Sequence, residues 1–307
     1  MSVNRREFVK VSALAATAST LSAAPSAAQP AAAPPAPPAP AVFTPLRRNV
    51  GIFHQRGGTI GWLVSSDGLL VVDSQFADTA PNLLAGLKAR SPRQIDVLIN
   101  SHHHPDHTGG NGVLRPAAKQ IVAHVRSSEN QKAQAERAKA ATTLPDVTFP
   151  DSWSVTLGDE TIRAKHWGPA HTGGDVAIHF EQANIVHLGD LLNNRGYPNV
   201  DGPAGASVHG WMQVLEKMTA AYPADALYVF GHAEAGHPFI GTRTDLHYQR
   251  DYFAAVVETA RQARRQNTSR DALAKVDVLP KFEHFGGTKA RLGLALTLAY
   301  DELATLG

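Results

Sequence analysis

Short apolar runs separated by turn residues dominate the chain after residue 43, and they predict a fold that is rich in β-strands. Residues 58–65 and 69–73 fit a hairpin that turns at Ser66, Asp67 and Gly68. The other predicted strands are residues 95–100, 121–124, 153–157, 161–167, 176–180, 184–188 and 227–230.

Helical spacing occurs between these runs. Residues 78–90 place Leu83, Leu84 and Leu87 on one face. Further helices are predicted for a polar, Ala-rich segment (127–141), for an amphipathic segment (207–221) and for the tail from residue 244 onward. Each half of the chain gives strands and then helices, which indicates a pair of packed sheets flanked by helices.

The first 28 residues have the features of an export signal. Arg5 and Arg6 are followed by Phe8 and Lys10, then by a weakly apolar run, and small residues precede Gln29. This pattern resembles a twin-arginine signal peptide (1–28) and implies the twin-arginine export machinery as a partner and a periplasmic location. The apolar run is too short and too polar for a good membrane span, so no stable membrane insertion is expected after cleavage.

The next segment predicts a spacer rather than part of the core. Residues 29–44 consist mostly of alanine and proline, and proline holds a chain extended. The expected order is therefore a signal peptide (1–28), a linker (29–44) and one domain with a helical tail (45–307), with folding beginning near Phe43.

Composition excludes several classes of protein. The 307-residue chain is 43% hydrophobic and 18% charged, as expected for a packed globular protein. Its formal charge of +2 matches that of residues 1–28 alone, where three basic residues face one acidic residue, so the remainder is near neutral. This balance opposes a nucleic-acid partner. The absence of cysteine excludes disulfides and thiolate chemistry.

A cluster of histidines follows directly after the predicted strand 95–100. His102, His104, Asp106 and His107 fall within six residues, in a loop that also carries His103. A loop that leaves a strand end is anchored yet open to solvent. His102 and His104 alternate in the extended part and can point to the same side, while the chain turns at Asp106. One loop can thus supply ligands to two adjacent metal ions.

Three further candidate ligands lie at other strand ends. His171 follows the strand that ends at Trp167, Asp190 follows the run 184–188, and His232 follows the run 227–230. Glycine or proline lies close to each of them. This placement is typical of side chains that several strands direct into one cleft.

Taken together, these motifs resemble the signature of the metallo-β-lactamase superfamily across residues 45–260. The resemblance implies an α+β fold, an αββα sandwich of two packed mixed β-sheets flanked by helices. It assigns ligands to two ions of zinc, with iron or manganese as alternatives. His102, His104 and His171 hold the first metal, Asp106, His107 and His232 the second, and Asp190 bridges them.

The implied activity is hydrolysis of an ester, thioester, lactone or amide bond of a small molecule. A metal-bridging hydroxide attacks, and Asp106 orients it as the catalytic residue. One subclass of metallo-β-lactamases has cysteine at the position of Asp190 and another has no ligand there. The chain is therefore more similar to thioesterases and lactonases.

Several alternatives stay open. β-Lactamase activity proper is one, and a mono-iron sulfur dioxygenase on the same fold is another. A flavodiiron protein is opposed by His104, where those proteins carry glutamate. An RNA-processing nuclease is opposed by the export signal and the neutral charge. An inactive binding protein is opposed by the complete ligand set.

Other residues have less defined roles at this stage. Asp73 resembles the family's buried aspartate that braces the histidine loop, and His187 is expected to pack in or near its strand. His103 is expected to point away from its neighbours. A second set is open between substrate contact and a plain structural role: Tyr197, Asp201, Ser207 and His237.

Overall fold

The computed structural model describes residues 39–305. The expected signal peptide (1–28) and most of the expected linker (29–44) lie outside this range. The first strand begins at Val42, so the end of the expected linker belongs to the sheet. Its backbone pairs with the next strand, Val42 opposite His54, close to the expected start of folding near Phe43.

The first sheet has seven strands whose spatial order follows the chain. They are β1 (Val42–Arg47), β2 (Val50–His54), β3 (Ile60–Val64), β4 (Leu69–Val72), β5 (Val97–Asn100), β6 (Ile121–His124) and β7 (Val147–Phe149). The strands from β1 to β4 pair antiparallel, and those from β4 to β7 pair parallel. The predicted hairpin is β3 and β4, closed by Ser65, whose backbone N–H donates to Gly68 O (2.9 Å).

The second sheet has six strands. They are β8 (Ser152–Leu157), β9 (Glu160–Lys165), β10 (Ala177–Phe180), β11 (Ile185–His187), β13 (Leu227–Val229) and β15 (Ile240–Gly241). The spatial order is β15-β13-β11-β10-β9-β8, mixed in direction because only β11 and β13 run parallel. A short parallel pair, β12 (Asn193–Asn194) and β14 (His232–Ala233), lies beside it.

Eight α-helices occur between residues 39 and 305. They are α1 (Ala80–Arg90), α2 (Pro105–Thr108), α3 (Asn111–Leu114), α4 (Val125–Ala138), α5 (Val208–Ala221), α6 (Arg243–Arg265), α7 (Arg270–Leu273) and α8 (Ala290–Thr305). Short 3-10 turns cover Arg115–Ala117, Gly189–Leu191 and Gly202–Ala204. None of these helices combines the length and the apolar character that crossing a lipid bilayer requires.

Three apolar clusters give the fold its layers. Ile52, Val72 and Ile99 of the first sheet pack against Ile178 and Ile185 of the second, forming the layer between the sheets. The outer face of the first sheet packs on α1 and α3, and the outer face of the second packs on α5, α6 and α8. The expected αββα sandwich of two mixed sheets flanked by helices is therefore confirmed.

Pairing explains two of the strands that hydrophobic pattern alone did not predict. β1 is partly exposed and β7 has only three residues, so neither carries a strong periodic signal. Each is held by backbone hydrogen bonds to a neighbouring strand. The helix predicted at 127–141 runs from Val125 to Ala138 instead, because His124 caps it and Lys139 has a left-handed backbone (φ 50°).

Candidate metal centre

The histidine loop leaves the end of β5 at the edge where the two sheets meet. Ser101 O accepts from the N–H of Val176 (2.9 Å), which links the first sheet to the second. His104 is the last extended residue before α2, and Pro105 occupies the first helical position, where a missing N–H costs nothing. The turn of α2 then directs Asp106 and His107 back to the site.

The loops that follow β9, β11 and β13 bring the remaining candidates to the same place. Seven side chains form two groups whose potential ligand atoms lie within 4.8 Å of one another in each group. The first group is His102, His104, His171 and Asp190, and the second is Asp106, His107 and His232. The structure thus brings together all seven residues that the sequence analysis singled out.

Hydrogen bonds to the remote nitrogen fix the tautomer of each histidine in the first group. His171 Nδ1–H donates to Asn199 O (2.7 Å), and His104 Nε2–H donates to Asp201 Oδ2 (2.9 Å). His102 Nδ1–H donates to Ser101 Oγ (3.0 Å), whose hydroxyl donates to Asp73 Oδ2 (2.7 Å). Each ring therefore keeps one nitrogen with a free lone pair.

Those three lone pairs converge. His104 Nδ1 lies 3.1 Å from His102 Nε2 and 2.9 Å from His171 Nε2. No proton is left to place between them, because each ring's N–H is already donated elsewhere. Oδ2 of Asp190 faces the same group, 3.6 Å from His171 Nε2. A cation at the centre satisfies all four atoms, so the residues fit a bound metal.

The second group adjoins the first through Asp190. Oδ1 of Asp190 lies 3.1 Å from His107 Nε2 and 3.3 Å from His232 Nε2, whereas its Oδ2 lies 3.6 Å from His171 Nε2. Asp106 Oδ2 lies 3.0 Å from His232 Nε2. One carboxylate thus faces both groups, as a bridging ligand must.

Electrostatics differ between the two groups. Burial lowers the pKa of His171 to about 3 and the pKa of His102 well below its usual range. Both rings are therefore neutral at pH 7 and can donate an electron pair to a metal. Burial acts against the charges of Asp106 and His232, but their partners prevail. The charge of His107 brings the pKa of Asp106 to about 2, and Asp190 brings the pKa of His232 to about 9. The carboxylates of Asp106 and Asp190 therefore favour a positive charge beside them, which a proton on His232 or a bound cation can supply.

Asp73 braces the loop from beneath. Its carboxylate is fully buried and accepts from Ser101 N (2.7 Å), Ser101 Oγ (2.7 Å) and His107 Nδ1 (2.8 Å). It follows β4 directly, with a left-handed backbone (φ 68°) that turns the chain at the strand end. One side chain thereby orients a ligand of each group.

Two glycines permit the close packing of this centre. A Cβ on Gly58 would lie 2.3 Å from Cε1 of His107. A Cβ on Gly231 would lie 2.1 Å from Oδ1 of Asp190. The chain needs glycine at both positions because the backbone itself forms the wall against which the ligands lie.

A cavity of about 220 Å³ opens onto the centre. Four candidate ligands line it, namely His104, Asp106, Asp190 and His232. Pro105, Asn199 and Arg291 complete the wall. A neighbouring cavity of about 190 Å³ shares His232 and Arg291 with it. The candidate ligands are therefore accessible to a small molecule.

The structure resolves most of the residues whose roles the sequence left open. Tyr197 is 2% exposed and packs against Tyr252 and Phe285, and Ser207 Oγ caps α5 by accepting from Gly210 N (2.8 Å). The Ser207 hydroxyl is therefore occupied by capping, whereas Tyr197 also lines the neighbouring cavity of about 190 Å³. His237 is exposed on its loop and lines neither cavity.

His103, Asp201 and His187 serve as supports. His103 Nε2 lies 3.5 Å from Asp201 Oδ2, on the side of that carboxylate that also holds His104. His187 is fully buried and its Nε2–H donates to Thr59 O (3.0 Å), a bond from the second sheet to the first. Asp201 is thus a partner of a ligand rather than a residue facing substrate.

Some supporting residues carried no sequence signal for a role. Ser101 and the carbonyl of Asn199 orient ligands through contacts that only folding creates. Arg291 reaches the cavity from the helical tail. Asp175 offered a local signal, because Thr172 three residues earlier donates to it through both N–H (2.7 Å) and Oγ1 (2.6 Å), a turn that steadies His171.

Comparisons with known proteins agree with this geometry. The family model described as "Metallo-beta-lactamase superfamily" matches residues 55–232. The chain is 24% identical over 186 residues to a type 2 metallo-beta-lactamase of Bacteroides fragilis, covering 57% of this chain and 72% of that protein. It is 30% identical over 183 residues to a hydroxyacylglutathione hydrolase of Cereibacter sphaeroides, covering 57% and 65%.

Solved structures show the same fold. A metallo-beta-lactamase from Pontibacter korlensis superposes with a TM-score of 0.58 at 20% identity. The superposition covers 70% of this chain and 99% of that protein. The remaining part of this chain thus extends beyond what the two structures share.

Proposed function

This chain belongs to the metallo-β-lactamase superfamily and is a metal-dependent hydrolase, and we propose that it binds two zinc ions and cleaves an ester, thioester, lactone or amide bond of a small molecule. The observation that carries the two-ion proposal is the pair of ligand groups that share Asp190. The three histidine nitrogens of the first group and the ligand atoms of the second group, Asp106, His107 and His232, adjoin the same carboxylate. Nitrogen and carboxylate donors without thiolates suit zinc, and they also accept iron or manganese.

When bound, two such ions supply a nucleophile at neutral pH and polarise the scissile carbonyl. Asp106 lines the cavity and stays ionised at neutral pH, because the nearby His107 and His232 outweigh the effect of burial on its pKa. Its Oδ2 can accept a proton from the attacking group and hand it to the leaving group. Asp106 Oδ2 lies 3.0 Å from His232 Nε2, so both atoms face the position that an ion of the second group would take.

The substrate classes rest on two supports. Several relatives are named as hydroxyacylglutathione hydrolases and others as metallo-beta-lactamases. The second is the cavity of about 220 Å³ at the ligands, which suits a small molecule. The alternative function is a mono-iron dioxygenase, and the number and kind of metal ions per chain distinguish it from a two-zinc hydrolase.

Metal analysis and a substrate screen test the proposal. We expect two zinc ions per chain and hydrolysis of at least one member of a panel of lactones, thioesters, activated esters and β-lactams. Asp106→Asn keeps the shape of the side chain but removes the proton acceptor, so kcat should fall by at least about a hundredfold with the fold intact by circular dichroism. A single iron per chain, or full activity in Asp106→Asn, contradicts it.

We also propose export through the twin-arginine pathway, on the basis of Arg5, Arg6 and the residues that follow. Mass spectrometry of the periplasmic fraction should find a mature protein that begins at Gln29. Replacing Arg5 and Arg6 together by lysine keeps the charge and should retain the full-length chain in the cytoplasm. Equal export of that variant contradicts the proposal.

A further inference from the structure

The helical tail forms part of the cavity wall at the metal centre. Gly286, just before α8, donates its N–H to Arg195 O (2.9 Å) and accepts from Tyr197 N (3.1 Å). These bonds join the tail to the segment that follows β12. A Cβ on Gly286 would lie 2.3 Å from Cδ of Glu234, so the tail also lies tightly against the segment after β14. The tail is thus fixed on both sides of the cleft.

This attachment positions Arg291 at the cavity. Arg291 is the second residue of α8, and its Nη1 donates to Tyr197 O (3.3 Å). It lines both the 220 Å³ cavity with the candidate ligands and the neighbouring 190 Å³ cavity. It lies outside residues 55–232, the part of the chain that the family model matches.

Its charge is not cancelled nearby. Across residues 39–305, no carboxylate makes an ion pair with Arg291 within 4.0 Å, although Glu234 lines the smaller cavity with it. Elsewhere in the tail, Arg270 pairs with Asp301 (3.0 Å) and Lys289 approaches Asp277 (3.8 Å). Arg291 therefore presents to the cleft a guanidinium that makes no ion pair with the described residues.

We propose that Arg291 is a specificity residue that binds a carboxylate of the substrate, so that the preferred substrates are small hydrolysable molecules carrying a carboxylate near the bond that is cleaved. This proposal rests on the hydrolase function proposed above. A guanidinium forms charge-assisted hydrogen bonds with carboxylates and is always charged. Two bound divalent ions would carry more positive charge than the carboxylates of Asp106 and Asp190 cancel. Arg291 adds to the positive electrostatic potential of the cleft, which favours an anionic substrate.

A matched pair of esters tests the proposal. Mono-4-nitrophenyl glutarate carries a free carboxylate, and its methyl ester is neutral while releasing the same nitrophenolate. Arg291→Gln keeps a donor for Tyr197 O but loses the charge. The ratio of kcat/KM for the anionic ester to that for the neutral ester should fall by at least about tenfold, mostly through KM. Arg291→Lys should restore part of the ratio.

Lys289→Ala is the matched control, because it removes a positive charge two residues away that lines neither cavity. Its ratio should equal that of the parent chain. An equal fall of the ratio in Lys289→Ala and Arg291→Gln would mean that only overall charge matters, and it would overturn the proposal.

Ligand binding gives a readout that does not depend on catalysis. Calorimetry on the zinc-loaded protein compares glutarate, which has two carboxylates, with butyrate, which has one. Arg291→Gln should weaken glutarate at least about tenfold more than butyrate. If no ester is hydrolysed yet glutarate shows this dependence, the hydrolase proposal fails for esters and the role of Arg291 stands. Equal effects on both ligands overturn that role.

Discussion

At the scale of single residues, the centre depends on hydrogen-bond acceptors that fix which nitrogen of each histidine keeps its lone pair for a metal. His104 is the clearest case, since Asp201 accepts its Nε2–H and leaves Nδ1 facing His102 and His171. Hydrogen bonds from His103 and His104 keep the pKa of Asp201 well below its usual range, so its carboxylate is ionised. A charged acceptor raises the basicity of the ring it holds.

Replacing Asp201 by Asn should weaken metal binding by about tenfold or more, because the charged acceptor of His104 is lost. The amide retains an oxygen that can accept from Ala204 N, the contact that Asp201 Oδ1 makes, so the loop is preserved. Competition with a coloured chelator measures the change. Asp225→Asn, at an exposed carboxylate, is the control, and equal affinities in the two variants would contradict the role.

His187 makes the stability of the fold depend on pH. Burial lowers its pKa to about 4 in the folded chain, against 6.5 when unfolded. Between these two pH values the unfolded chain binds one more proton at His187 than the folded chain does. The stability that neutral His187 contributes to the fold is therefore fully present above pH 6.5 and is lost as pH falls toward 4. The loss amounts to as much as about 3 kcal/mol.

His187→Gln should reduce the fall in the free energy of unfolding between pH 6.5 and pH 4, which we call the acid limb, since an amide does not titrate. Urea unfolding from pH 7 to pH 4 measures it, with chelator present throughout so that metal release does not contribute. His237→Gln, at an exposed loop histidine, should keep the limb of the parent chain. An unchanged slope in His187→Gln would assign the acid sensitivity to other groups.

At the scale of elements, α8 contributes both packing and the position of Arg291. Its inner face packs with α5 and α6 in the cluster outside the second sheet, and Leu296 there is fully buried. Leu294, on the same helix, is 52% exposed. The helix thus offers two leucines that differ mainly in burial.

Leu296→Ala should lower the free energy of unfolding by about 3 kcal/mol, because it removes buried methyl groups and leaves a cavity. Leu294→Ala should change it by less than about 0.5 kcal/mol. Chemical denaturation of both variants under the same conditions gives the comparison. Similar losses in both would mean that the helix does not pack as described.

At the scale of the whole molecule, the metal centre lies where loops from both sheets meet. Metal binding at this centre therefore affects the stability of the whole sandwich. Asp73 and Ser101 come from the first sheet, while His171, Asp190 and His232 follow strands of the second. Metal bound between them ties the two sheets together.

Removing metal with a chelator should therefore lower the melting temperature of the whole domain. A ligand present at a thousand times its dissociation constant stabilises a fold by about 4 kcal/mol, and chelation withdraws that term. Scanning calorimetry with and without EDTA measures the shift. Asp190→Ala removes the shared carboxylate and should show a much smaller shift, whereas equal shifts would place the stabilising metal elsewhere.

The sequence by itself determined the features whose signals are local. Strands 121–124 and 227–230, the hairpin at Ser66 to Gly68 and the seven candidate ligands all follow from patterns within a few residues. Hydrophobic spacing and strand-end position suffice there, because strands that end at one edge deliver their next residues to one cleft.

Only the tertiary structure decided the features that depend on distant parts of the chain. Asp201 accepts from His104 across 97 positions, and Arg291 reaches the cavity because Gly286 pairs beside Tyr197. Tyr197 packs against Phe285 and lines the smaller cavity, and Ser207 caps α5. Such contacts form when separate segments pack, so no local pattern of residues specifies which partner each side chain will meet.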